Sequence, residues 1–233
     1  MKIAVFGTGI VGQVISVRLT GLGHSVIVGT RDVAKTLART GKDLYGNPPF
    51  GEWYEQNKSS VRLATYKEAA SSSEIIFNCT MGQGSIDALK QAGDNINGKI
   101  IIDTSNPLDF SKGAPPSLSP GNTDSLGELI QRTFPKTKVV KTLNTMNCFL
   151  MVNPGALEED HNVFVSGNDA GAKSKAKEIL SSFGWKDANI IDLGDITTAR
   201  GTEQLLPIWI RLYTVLHNPM FNFKIVIGPA PKM

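Results

Sequence analysis

The chain has 233 residues, of which 41% are hydrophobic and 19% charged, and its formal net charge is +3. That length can bury a large core in one or two domains, and the composition is that of a globular chain. The small, scattered charge, with no basic stripe among aromatics, points away from nucleic acid. No apolar run approaches the roughly 20 residues of a membrane span, which points away from a membrane partner.

The N-terminus enters a strand without the layout of a signal peptide, so a cytoplasmic location is expected. Residues 3–6 form an apolar run that suits a strand buried on both faces. Gly7, Gly9 and Gly12 follow in G-x-G-x-x-G spacing, and a helical pattern starts at once. Strand, glycine turn and helix in that order make a dinucleotide-binding corner. Gly7 permits the tight turn, Gly9 lets a pyrophosphate approach the backbone, and Gly12 lets the helix pack close to the strand. The free N–H groups near Thr8, Ile10 and Val11 then face the phosphates.

The first helix is expected to bury Val11, Val14, Ile15, Leu19 and Leu22. Residues 25–29 form the second strand, and Asp32 caps a helix over 33–39. Residues 41–60, with Pro48, Pro49, Phe50, Trp53 and Tyr54, suit a loop or short helix lying over the core. Strands over 61–64, 74–79 and 99–103 alternate with helices over 67–72 and 84–92. That alternation predicts an α/β fold, a Rossmann-type doubly wound parallel sheet.

Residues 106–124, rich in proline, form the longest irregular stretch. Ser125 opens a helix to residue 134, with Glu128 completing a capping box. The sixth strand covers 139–143 and closes a nucleotide-binding domain over 1–145. A small C-terminal α/β extension over 146–233 then carries a strand at 162–166, a helix at 170–183 and a strand at 188–193. Its last helix, 198–217, is apolar all round, so burial is expected in this subunit or against another. With the alternating Phe221, Phe223, Ile225 and Ile227, it predicts a homodimer.

At the tip of the second strand an NAD-preferring domain carries an acid that grips the ribose. Here the residues are Thr30 and Arg31, and Lys35 lies one helical turn further on. A 2′-phosphate satisfies all three, so NADP is expected. The structural alternative pairs Arg31 with Asp32 or Glu55. Asp103 and Asp109 suit capping or turn roles, and Arg200 and Glu203, one turn apart, suit a local pair. Cys79, Cys148 and the three histidines show no metal-ligand spacing. No general acid or base is assigned, because hydride transfer between two rings asks the protein chiefly for orientation.

The run Gly-Thr-Gly-Ile-Val-Gly, followed by Val-Gly-Thr-Arg and Lys35, resembles the F420-dependent NADP oxidoreductase family. The resemblance continues through Thr104-Ser105-Asn106-Pro107-Leu108, Lys141-Thr142-Leu143-Asn144-Thr145-Met146 and Ala199-Arg200-Gly201-Thr202-Glu203 with Pro207. The same blocks are similar to the reductase domain of six-transmembrane metalloreductases. The resemblance implies NADP beside a deazaflavin (F420) or flavin ring. It implies that Thr8, Thr30, Arg31 and Lys35 meet the 2′-phosphate, and that Thr80, Met81, Asn106 and Pro107 border the nicotinamide. Asn144, Thr145 and Met146, with the 205–207 turn, would wall the second ring. Core packing is the alternative for Met81 and Met146. Where the family usually carries Pro-Trp after the fourth strand, this chain has Met81-Gly82-Gln83-Gly84, which leaves the second ring open. A non-catalytic NADP sensor and a small imine or carbonyl reductase are the other activities compatible with these residues.

Overall fold

A computed structural model describes residues 1–42 and 46–229. The part of the 41–60 segment at 43–45 lies outside the described residues.

In chain order the elements are β1 (Lys2–Phe6), α1 (Ile10–Gly21), β2 (Ser25–Thr30), α2 (Val33–Leu37), α3 (Phe50–Asn57), β3 (Val61–Thr65), α4 (Tyr66–Ser71), β4 (Ile75–Asn78), α5 (Gly82–Ala92) and β5 (Ile100–Asp103). They continue with β6 (Leu108–Asp109), β7 (Ser117–Leu118), α6 (Leu126–Thr133), β8 (Lys138–Thr142), α7 (Cys148–Val152), β9 (Val163–Gly167), α8 (Ala170–Phe183), β10 (Ile190–Gly194), α9 (Ala199–Gln204) and α10 (Leu206–Leu216). Most bounds fall within two residues of those expected.

The main sheet has the order β10-β9-β8-β5-β4-β1-β2-β3. From β3 to β8 every pairing is parallel, and the order reverses at the β1/β4 boundary. Ile3, Ala4, Val5 and Phe6 are completely buried, as a central strand covered on both faces must be. α1 docks through Ile15 and Leu19, both fully buried and one turn apart. Burying each contributes about 1.5–3 kcal/mol. In open sheets of this kind ligands bind beyond the carboxyl ends of the strands, at the point where the order reverses.

The sheet is not parallel throughout. β9 runs antiparallel to β8, with Lys141 opposite Ser166, and β10 then lies parallel to β9. An apolar run shows that a strand is buried but carries no direction. Here the 143–162 connection, whose α7 packs on α1, stays at the carboxyl end of β8 and starts β9 there. Val163, Val165 and Phe183 accordingly share one apolar cluster with Ile3 and Val5.

The 106–124 stretch holds a small antiparallel ribbon, β6 with β7, in place of a wholly irregular loop. The expected 198–217 helix is two helices. Pro207 has no N–H to continue α9, and its fixed φ suits the first turn of α10. α10 is not buried in the subunit: Ile208, Tyr213, Val215 and Leu216 are exposed, Val215 by 76%. Among the described residues no helix is long and apolar enough to cross a membrane.

Candidate active site

The three glycines of the β1–α1 turn are required for three different reasons. Gly7 has φ +118°, and a Cβ there would stand 2.5 Å from the Cys79 carbonyl oxygen. A Cβ on Gly12 would lie 2.3 Å from the Gly7 carbonyl oxygen. At Gly9 nothing comes within 4 Å, so the turn opens to solvent there. Gly9 also starts α1 with no side-chain cap, which leaves N–H groups near Ile10 and Val11 for an anion. Gln13 braces the turn by donating to the Thr8 carbonyl at 3.0 Å.

The cations beyond β2 are arranged differently from the expectation. The Thr30 hydroxyl is buried and hydrogen-bonded to the Thr36 hydroxyl at 2.6 Å. Lys35 is exposed and lies 3.8 Å from Asp32, whose carboxylate caps α2. Neither Asp32 nor Glu55 pairs with Arg31; Glu55 pairs with Lys58. The residue overlooked in the sequence is Arg39, which donates to the Thr8 hydroxyl at 2.7 Å. Burial raises the Tyr66 phenol above its ordinary value, and Arg31 and Arg39 oppose that rise, so both guanidiniums lie near this ring. Arg39 had no local signal in the sequence, because it lies beyond α2 and its partner is 31 residues away.

At the carboxyl ends of β4, β5 and β8 the fold buries a connected polar cluster. Asn78 donates from Nδ2 to Asp103 Oδ1 at 2.8 Å, and Thr80 donates to Asn78 Oδ1 at 2.7 Å. Asp103 Oδ1 also accepts from the Ser105 hydroxyl at 2.6 Å. Lys141 Nζ lies 2.8 Å from Asp103 Oδ2 and 2.7 Å from Glu203 Oε1, and all three side chains are buried to within 2% of completely. Glu203 in turn accepts the Leu126 and Gly127 N–H groups at the start of α6. Burial alone would lower the pKa of the Lys141 ammonium, but the two carboxylates outweigh it and raise it.

Asp103 has the expected turn role, its Oδ1 accepting the Ser105 N–H at 3.2 Å, and is a buried ion-pair partner as well. Two other expectations are corrected. Arg200 and Glu203 do not pair with each other: Arg200 Nε donates to Glu128 at 2.8 Å, across the chain. Glu128 bonds the Ser125 hydroxyl and this arginine, so its side chain does not close a capping box on the Ser125 backbone. A lysine inside the apolar run Val139-Val140-Lys141 was the available signal for the cluster, because a buried cation needs partners.

Above this cluster two loops meet. Asn106 Nδ2 donates to the Asn144 carbonyl at 2.8 Å, and Asn144 Nδ2 donates back to Asn106 Oδ1 at 3.0 Å. Leu143 adopts φ +65°, a left-handed conformation rare for leucine, which costs roughly 1–3 kcal/mol and clusters at functional sites. Gly82 lets α5 approach this corner, because a Cβ would sit 2.1 Å from the Asn106 carbonyl oxygen. Pro107 and Thr145 are buried there, Met146 packs in the core, and Met81 is 68% exposed. Cys79 and Cys148 are free and buried; burial pushes their thiols up to about 12 and about 11. Among the described residues no cluster of His, Cys, Asp and Glu is arranged to hold a metal.

Residues 2–107 match the family model described as NADP oxidoreductase coenzyme F420-dependent. The crystal structure of a candidate F420-dependent NADP reductase from Arthrobacter sp. FB24 is 55% identical, covers 97% of this chain and 100% of its own, and superposes with a TM-score of 0.91. The F420-dependent NADP reductase of Methanothermobacter marburgensis is 28% identical over the full length of both chains. Metalloreductase STEAP3 of Rattus norvegicus is 26% identical over 89% of this chain, which spans only 38% of that relative's length. Kinship at this level along the whole length, with the glycine turn intact, makes the chain a member of the F420-dependent NADP oxidoreductase family.

Proposed function

We propose that the protein is an oxidoreductase that transfers hydride between NADP(H) and the deazaflavin F420. The observation that carries this is the glycine turn, open at Gly9 and flanked by Arg39, in a chain whose relatives of full length are F420-dependent NADP reductases. The residues fit the nucleotide. Backbone N–H groups of Gly9, Ile10 and Val11 would take the pyrophosphate, while Thr8, Arg31 and Arg39 would take the 2′-phosphate. Lys35 adds a looser positive charge.

NADPH supplies a hydride when bound, and the oxidised deazaflavin ring accepts it. Everything else asked of the chain is orientation and exclusion of water. Thr80, Met81, Asn106 and Pro107 would border the nicotinamide. Asn144 and Met146, with the 205–207 turn, would wall the acceptor, so that residues 146–233 complete a site begun by 1–145. The reciprocal Asn106–Asn144 pair supports this placement, since it ties the two walls together.

Loss of the reduced-nicotinamide absorbance upon addition of oxidised F420 is the expected result, with NADPH preferred over NADH. Turnover with FMN or FAD alone would reassign the acceptor to a flavin. Tight NADPH binding with no acceptor turned over would make the protein a sensor.

The exposed apolar residues of α10 support a homodimer, with this helix and the following tail at the interface. A monomeric mass by light scattering at micromolar concentration would refute it. Two free, buried thiols support a reducing, cytoplasmic setting.

A further inference from the structure

We infer that Lys141 is a positioning residue that locks the two walls of the site to each other. This rests on the two-ligand function proposed above. Three contacts radiate from one ammonium. Lys141 Nζ donates to the Ser105 carbonyl at 2.6 Å, to Asp103 at 2.8 Å and to Glu203 at 2.7 Å. Ser105 leads directly into Asn106 and Pro107, the wall assigned to the nicotinamide. Glu203 lies two residues before the 205–207 turn, the wall assigned to the acceptor.

The chemistry explains why this junction is stiff. Lysine has three donors, and here each has one acceptor. Asp103 Oδ1 is held independently by Asn78 and Ser105, and Glu203 by the first two N–H groups of α6. No partner can swing away without leaving a buried Lys141 N–H donor without its acceptor. The walls are therefore fixed relative to one another through Lys141, although none of its atoms need touch a ligand. The proposed 2′-phosphate end, at Thr8 and Arg39, lies on the β2 side of β1, and among the described residues no side-chain hydrogen bond joins it to this cluster.

Two variants test this. Lys141→Met with Glu203→Gln keeps the net buried charge at that of the original trio, because one positive and one negative charge are removed together. Glu203→Gln alone keeps the Lys141–Asp103 pair and folds if the double variant does not. In either, amide hydrogen exchange should accelerate together at residues 105–106 and 204–206, while residues 9–13 keep their protection. The NADP⁺ dissociation constant should stay within about threefold, and F420 binding to the NADP⁺-loaded protein should weaken by about tenfold or more. Hydride transfer should slow by about 100-fold, the scale of a misplacement near 1 Å. Exchange confined to one wall, exchange that also spreads to residues 9–13, or equal loss of both ligands overturns the inference. If the unaltered protein binds NADP⁺ but neither F420 nor a flavin, the proposed function fails, and the exchange data alone still decide whether Lys141 couples the walls.

Discussion

Arg39 reaches across 31 residues of chain to donate a hydrogen bond to the Thr8 hydroxyl at 2.7 Å. It thereby joins the end of α2 to the glycine turn. Arg39→Met should weaken NADPH binding by roughly 10- to 100-fold, the scale of losing one or two charge-assisted hydrogen bonds of about 1.5–3 kcal/mol. NADH binding should barely change. Arg31→Met should behave alike. Thr30→Val should leave the NADPH/NADH ratio within about threefold, because that hydroxyl is spent on Thr36 inside the protein. Dissociation constants for both nucleotides check all three variants.

Two glycine substitutions should separate folding from binding. In Gly12→Ala the new methyl would meet the Gly7 carbonyl at 2.3 Å, so the turn must deform and Tm should fall. Gly9→Ala meets nothing within 4 Å and should fold with nearly unchanged Tm. It should nonetheless lose NADPH affinity, because the methyl stands where the pyrophosphate approaches. Equal losses of Tm in the two variants would contradict this division.

Acid should destabilise the protein through Glu128 and Asp124. The Arg200 guanidinium beside Glu128, and that of Arg132 beside Asp124, hold both carboxyls below their ordinary values. The unfolded chain therefore takes up these protons at higher pH than the folded protein. Their contribution is complete above the ordinary carboxylate pKa of about 4 and is lost as pH falls through the folded values. Arg200→Met with Arg132→Met should lower Tm near pH ~7, and the gap to the unaltered protein should close as pH falls through the folded carboxyl values. A constant gap in Tm across that range would argue against the mechanism.

Cys79 and Cys148 should resist alkylation in the folded protein. With thiols pushed up to about 12 and about 11, about one in a thousand or fewer is thiolate near pH ~8. Mass spectrometry after iodoacetamide should find neither labelled until denaturant is added. Rapid labelling of either in the native state would show that its burial is transient.

The nucleotide corner was legible in the residues themselves, because its signal is local. Gly7, Gly9 and Gly12 sit at fixed offsets between a buried strand and a helix, and steric need alone selects glycine at two of them. Strand positions, the Asp32 cap and the charge at Arg31 were legible for the same reason: each depends on neighbours within a few residues. Tertiary structure alone decided the rest. The antiparallel turn of β9 depends on where the 143–162 connection lies, since burial pattern carries no direction. The bond of Thr30 to Thr36, the reach of Arg39 to Thr8 and the meeting of Lys141 with Asp103 and Glu203 join residues 6 to 62 positions apart. Donor and acceptor types are visible in a sequence, but which donor meets which acceptor is set by the packing of strands and helices between them.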